Sequence, residues 1–233
     1  VEVVCVIPAR GGSRGIIKKN ICMINGRPLI SYMIEQALSS RCKPAVYVST
    51  DCDEIEAVAS KYGAKVVRQP REISQDTSSS ELSLLYALGE IARINHRMPE
   101  LLVFLQCTSP LTLAADIDGT IDALVEDEAD TSLAVTPFHY FLWKKNQEGD
   151  AVGVNHDKRV RMRRQDKDPE YLETGAVYVM KAALFAERRH RFFGKTTFHV
   201  MPRERVFEID DPADVLIAES MLKIATTGAS HDN

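Results

Sequence analysis

Short, unbroken apolar runs alternate along this chain with segments whose apolar residues recur at helical spacing, and few folds accept that order. Val3 to Ile7 is apolar at every position, so it has no face suited to water and reads as a strand buried on both sides of a parallel sheet. A loop rich in glycine and basic residues follows, from Pro8 to Asn20. Then Ile30, Met33, Ile34, Ala37 and Leu38 mark one face of a helix, with Pro28 in its first turn. The pattern repeats. Ala45–Val48 is a strand, Asp53–Tyr62 a helix closed by Gly63, and Lys65–Val67 a strand. Ser78 and Glu81 form a capping box that opens a helix carrying Leu82, Leu85, Leu88 and Ile91. Leu101–Leu105 is a strand, Ala115–Val125 a helix, and Ser132–Val135 a strand. This order predicts an α/β fold with a mainly parallel sheet, with ligands beyond the carboxyl ends of the strands.

From about residue 137 to 173 the alternation breaks into an aromatic, then polar, then basic stretch that reads as a β-rich excursion. The chain returns to the sheet with Gly175–Val179. Arg188 to Gly194 reads as a basic loop. Val206–Asp210 reads as a last strand, followed by a helix with Asp211 as its cap and Pro212 at its first position. Nothing divides the 233 residues into two units, so one domain is expected.

The net charge of −4 supplies no global basic field to attract nucleic acid or an anionic membrane. No apolar run nears the ~18 residues of a membrane span, and the first residues lack a leader pattern. The five cysteines have no paired spacing, which points to a reducing, cytoplasmic setting. The six histidines have no zinc-ligand spacing.

Chemistry concentrates in the loop after the first strand, Ile7-Pro8-Ala9-Arg10-Gly11-Gly12-Ser13-Arg14-Gly15, followed by Lys18-Lys19-Asn20. Glycines let backbone N–H groups approach a ligand, and the cations beside them suit a polyphosphate. The plainer alternative is a glycine-rich turn with solvated basic residues. The spacing is neither that of a Walker A loop nor that of a dinucleotide-binding turn. Near the end, Glu208 and Asp210 stand two apart, which on a strand puts both carboxylates on one face, where they suit Mg²⁺. Alternatively, Glu208, Asp210 and Asp211 are acids gathered at a helix N-terminus.

The string from Ile7 to Gly15 with Lys18-Lys19-Asn20 resembles the signature of the acylneuraminate cytidylyltransferases, with the CMP-KDO synthetases as more distant relatives. Further resembling segments follow in order: Ser49-Thr50-Asp51, Gln69-Pro70 with Asp76-Thr77-Ser78-Ser79, Leu105 to Leu111, Arg164-Gln165-Asp166, Gly175 to Tyr178, and Glu208-Ile209-Asp210. The resemblance implies a Rossmann-like nucleotide-diphospho-sugar transferase fold of three layers, α/β/α, with the excursion at 137–173 serving dimerisation. It implies transfer of CMP from CTP to the anomeric 2-hydroxyl of a sialic-acid-like sugar acid, in a homodimer. Arg10, Gly11, Gly12, Ser13, Arg14, Lys19, Asn20 and Ser79 would hold CTP, with Asn20 supporting either the loop or the cytidine. Gln106, Thr108, Ser109, Arg164 and Gln165 would meet the ribose or the acidic sugar; the lesser alternative for Gln106 is a helix cap. Arg10, Lys19, Gln106 and Asp210 would carry the transfer, and Asp210 with Glu208 would hold Mg²⁺.

Three positions depart from the pattern: Gln69 where arginine is usual, Glu208 where aspartate is common, and Thr174 where asparagine is common. They leave deaminated, diamino and eight-carbon acceptors open. They also leave open a nucleotidyltransferase with a non-sugar acceptor, or a weakly catalytic nucleotide-binding protein.

Overall fold

The computed structural model describes residues 1–13, 15–75, 78–160 and 162–228, without the side chains of 164 and 225–228. The elements are β1 (Val3–Pro8), β2 (Met23–Ile24), β3 (Arg27–Pro28), α1 (Leu29–Ser39), β4 (Ala45–Thr50), α2 (Asp53–Lys61), β5 (Lys65–Arg68), α3 (Ser80–Asn95), β6 (Leu101–Leu105), α4 (Ala114–Glu126), β7 (Thr131–Phe138), β8 (Trp143–Lys145), β9 (Ala151–Gly153), β10 (Glu170–Lys181), α5 (Ala182–Arg188), β11 (Thr196–Val200) and α6 (Pro212–Gly228).

Seven strands form one sheet in the order β11-β7-β10-β6-β1-β4-β5. All neighbours pair in parallel except β10, which runs against both β6 and β7. Strand composition follows from two-sided burial. In β1, Val3, Cys5 and Ile7 enter the core under α1, α2 and α4, while Val4 and Val6 enter the core under α3 and α5. Both faces are therefore apolar, as in the three-layer arrangement expected. A third, smaller core joins α6 to the β2–β3 hairpin through Ile24, Leu29, Ile209 and Ala218. From β1 the chain winds outward through β4 and β5, then returns to β6 on the other side of β1. The crevice beyond the carboxyl ends of β1 and β6 is thus the switch point of the sheet, where α/β folds bind ligands.

Several sequence expectations change. Val206–Asp210 is not a strand. The sheet edge beside β7 is taken by Thr196–Val200, an unexpected strand, and a 3₁₀ turn at Arg203–Arg205 then carries the chain away. The strand expected at Gly175–Val179 is the middle of twelve residues. Its register shifts between Glu173 and Tyr178, where Gly175 takes φ +74. Thr174 locks this bulge, its hydroxyl donating to the Ala134 carbonyl at 2.9 Å. The helix α5, just before the expected basic loop, was not anticipated. In the excursion, β8 and β9 pair only with each other. At α3 the cap is Ser79 rather than Ser78: Ser79 Oγ accepts from Leu82 N. At α6, Asp211 precedes Pro212 as expected, but the carboxylate that accepts the N–H groups of Asp210 and Asp211 is that of Asp214.

Gly119 of α4 lies against His199 of β11, and a Cβ there would come within 2.5 Å of His199 Nδ1. The His199 side chain is 28% exposed and its ring must turn aside, so Gly119→Ala is expected to destabilise the fold by about 0.5–1.5 kcal/mol. A urea titration would read this as a lower midpoint with an unchanged slope.

Candidate active site

The loop after β1 is pinned on two sides. Ala9 N–H continues the β1–β4 pairing by donating to the Ser49 carbonyl at 2.9 Å. Gly11 N–H donates to Asp51 Oδ1 at 2.8 Å. A Cβ on Gly11 would lie 2.9 Å from Cys52 Cβ, so close approach to the end of β4 favours glycine here. On the far side, a Cβ on Gly15 would lie 2.5 Å from the Asp210 carbonyl oxygen. Asn20 is buried under the loop. Its amide donates to the Arg10 carbonyl at 2.9 Å, and its oxygen accepts from the Cys107 thiol at 3.0 Å. Burial pushes that thiol up to about 12, so it stays protonated and remains a donor.

The two lysines diverge. Lys18 takes the left-handed conformation, φ 52, and pairs with Glu54 on α2 at 2.6 Å. Lys19 turns inward, its side chain 19% exposed, and Nζ meets the Ile209 carbonyl at 3.1 Å and Asp210 Oδ1 at 3.0 Å.

The opposite wall follows β6. Gln106 N–H donates to the Ala176 carbonyl at 3.1 Å, extending the pairing with β10 beyond the strand. Thr108 Oγ1 donates to Glu208 Oε1 at 3.2 Å, and Ile209 N–H donates to the Thr108 carbonyl at 2.9 Å. These bonds, rather than strand pairing, hold the two carboxylates beside the cleft. Gly175 lies beside them, where a Cβ would make only ordinary contact with Glu208 and Gln106; its φ of +74 is what favours glycine.

The cleft between these walls holds about 450 Å³, within the roughly 300–1,000 Å³ of small-molecule sites. It gathers Arg10, Ser13, Lys19, Asn20, Ser79, Gln106, Thr108, Glu208 and Asp210 from the sequence expectations. Gly11 and Gly12 shape the loop but do not line the cleft. Ser109 is buried, and its hydroxyl has no hydrogen-bond partner among the described residues. Gln165 is exposed in a 3₁₀ turn of the excursion and does not line the cleft. Arg14, Asp76, Thr77 and the Arg164 side chain lie outside the described residues.

The remaining wall was only half visible in the sequence. Gln69, the first departure, is buried and faces the cleft. Its Oε1 accepts from Ser49 at 2.9 Å and Ser83 at 2.6 Å, and its Nε2 donates to Ser74 at 2.7 Å. Neighbouring Arg68 does not take its place, since it pairs with Asp53 and Glu56. Ser78, Ser79 and Ser80 complete this side at the start of α3. Partly buried neutral donors and acceptors suit a polar heterocycle better than a phosphate.

Two partly buried ion pairs also escaped sequence reading. Arg191 donates to Glu81 on α3 at 2.7 Å and lies over the rings of Phe104 and Tyr178. Burial raises the Glu81 carboxyl, but the Arg191 bond and a backbone bond outweigh it and hold the group below its ordinary range. Burial pushes the Tyr178 phenol well up, and its hydroxyl donates to Glu173. Arg205 pairs with Asp116 at the start of α4. Partners 110 and 89 residues apart leave no local signal in a sequence.

Comparison with known proteins identifies the family. N-acylneuraminate cytidylyltransferase A of Danio rerio is 36% identical over 217 residues, which is 92% of this chain and 49% of that protein. Pseudaminic acid cytidylyltransferase of Campylobacter jejuni is 33% identical over 224 residues, covering 94% of this chain and 96% of that protein. The chain thus spans about half the length of the fish relatives and nearly all of the bacterial one. A CMP:2-keto-3-deoxy-manno-octonic acid synthetase solved with CTP shares the fold, with a TM-score of 0.70 at 17% identity over 97% of this chain and all of that one. A 4-diphosphocytidyl-2C-methyl-D-erythritol synthase of Anaerococcus prevotii does so with a TM-score of 0.70 at 12% identity over 95% of this chain and 98% of that one. The model of the cytidylyltransferase family matches residues 4–212, so the chain belongs to that family.

Proposed function

We propose that this protein transfers CMP from CTP to the anomeric 2-hydroxyl of a sialic-acid-like 2-keto sugar acid, releasing pyrophosphate. The observation that carries the reading is one cleft in which a glycine-rich loop with Lys19 faces Gln106 and a pair of carboxylates. The sugar hydroxyl oxygen attacks the α-phosphorus and gives up its proton to solvent, while the bond from the α-phosphorus to the α–β bridging oxygen breaks and pyrophosphate leaves with that electron pair. Such a step asks for alignment and charge stabilisation rather than a protein nucleophile. Lys19 and Arg10 neutralise the triphosphate. The Gln69 and serine wall receives the cytosine, and Gln106 with Thr108 orients ribose or acceptor hydroxyls.

Magnesium belongs to the same reading. Glu208 and Asp210 are exposed on one cleft, and no group of three or more potential ligands occurs among the described residues. Mg²⁺ suits this donor set, because it is commonly held by one or two carboxylates, with phosphate oxygens and waters filling its octahedron. When bound, it would offset charge on the phosphates.

The exposed side chains of Tyr140, Leu142, Trp143 and Val154 on the excursion support a homodimer through that face. No helix among the described residues is long and apolar enough to cross a membrane. All five cysteines are free, which supports a cytoplasmic setting.

The deciding assay is pyrophosphate release from CTP and Mg²⁺ with a panel of eight- and nine-carbon 2-keto sugar acids, and with ATP, GTP and UTP as controls. Release is expected only with CTP together with one class of acid. Release without any acid acceptor, or with no acid on the panel, would overturn the reading.

A further inference from the structure

Glu208 and Asp210 sit on a stretch that belongs to no sheet, so something other than strand pairing must set where they point. Between the two carboxylates, Ile209 is buried and its N–H donates to the Thr108 carbonyl. On its amino side the anchor is Arg205. This guanidinium meets Asp116 at two points, Nε to Oδ2 at 2.9 Å and Nη2 to Oδ1 at 2.6 Å. Asp116 is fully buried. Its Oδ2 also accepts the Leu113 N–H at 2.9 Å, where the loop from Gln106 and Thr108 enters α4. One carboxylate therefore fixes the end of the loop bearing Gln106 and Thr108, and also the start of the segment bearing Glu208 and Asp210.

We propose that Asp116 and Arg205 are a positioning pair that sets the acidic segment against the Gln106–Thr108 loop, and so tunes the divalent-ion site from outside the cleft. Neither residue lines the cleft. A planar two-point pair fixes direction as well as distance, which a lysine ammonium cannot do. Residues that orient metal ligands typically change ion affinity or activity by about 10–100-fold when altered. The loop after β1 is held by Ser49, Asp51 and Asn20 and the Gln69 wall by its own serines, so nucleotide binding without a divalent ion should not depend on the pair.

The inference rests on Glu208 and Asp210 being the ion's ligands, and the test separates the two ideas. CTP affinity is measured by calorimetry without divalent ion and with saturating Mn²⁺, together with the melting temperature. Arg205→Lys keeps the charge beside Asp116, so the buried carboxylate keeps a partner. It is expected to bind CTP alone within about twofold of wild type, and to bind CTP with Mn²⁺ about tenfold more weakly. A second variant, Asp116→Asn with Arg205→Met, removes both charges, a change that buried pairs often tolerate; it should show the same selective loss. Asp210→Ala is the reference and should lose the Mn²⁺-dependent gain altogether. If Asp210→Ala keeps that gain, the metal reading fails and the inference falls with it. If Asp210→Ala loses it while either pair variant behaves as wild type, the metal reading stands and the positioning role is wrong. A parallel loss of CTP binding with and without Mn²⁺ would mark the pair as merely structural and would also overturn the proposal.

Discussion

Lys19→Ala is expected to lower turnover by about 10²–10³-fold, the scale set by removing one preorganised charge-stabilising donor. Lys19 brings an inward-facing cation to the cleft, with only 19% of its side chain exposed. Its partner Asp210 is 67% exposed on the side chain. Losing the lysine therefore strands no buried charge, and the ion pair contributes only about 0–1 kcal/mol to folding. Steady-state pyrophosphate release beside a thermal melt would separate the two effects: a large fall in kcat with a nearly unchanged melting temperature. An equal fall in both would mean that Lys19 acts through the fold.

Gly15→Ala is expected to cost about 10²-fold in kcat/KM. The added methyl would sit 2.5 Å from the Asp210 carbonyl oxygen, which is backbone and cannot rotate aside. The loop and the acidic segment must separate, and a shift of about 1 Å in an aligned site can cost that much. The site of strain is local, so circular dichroism should remain that of the wild type. Near-normal kcat/KM would show that the loop and Asp210 tolerate the wider spacing.

Much of this architecture can be read from the chain itself. Strands such as β1 and β6 are apolar on both faces, so they announce a central position. The loop after β1 concentrates glycine and cation in one place. Val206–Asp210 misled because its apolar and acidic residues alternate like a strand. Ile209 does bury itself, but in the small core with Ile24 and Leu29 rather than in the sheet. The true edge strand, Thr196–Val200, alternates weakly and is largely exposed, so pairing with β7 defines it more than composition does. Gln69 looked like a flaw because its value lies in three serines from separate elements. The Arg205–Asp116 and Arg191–Glu81 pairs depend on chain crossings that no window of sequence contains.

One consequence of the Lys19–Asp210 contact concerns the order in which the protein can become active during synthesis. The two residues are 191 positions apart. The phosphate loop leaves the ribosome well before the acidic segment. A nascent chain can complete the strands β1, β4, β5 and β6 long before Asp210 emerges. Until then Lys19 has no carboxylate opposite it, and the cleft has only one of its charged walls. Competence for nucleotide chemistry therefore waits for the acidic segment, however early the phosphate loop has folded.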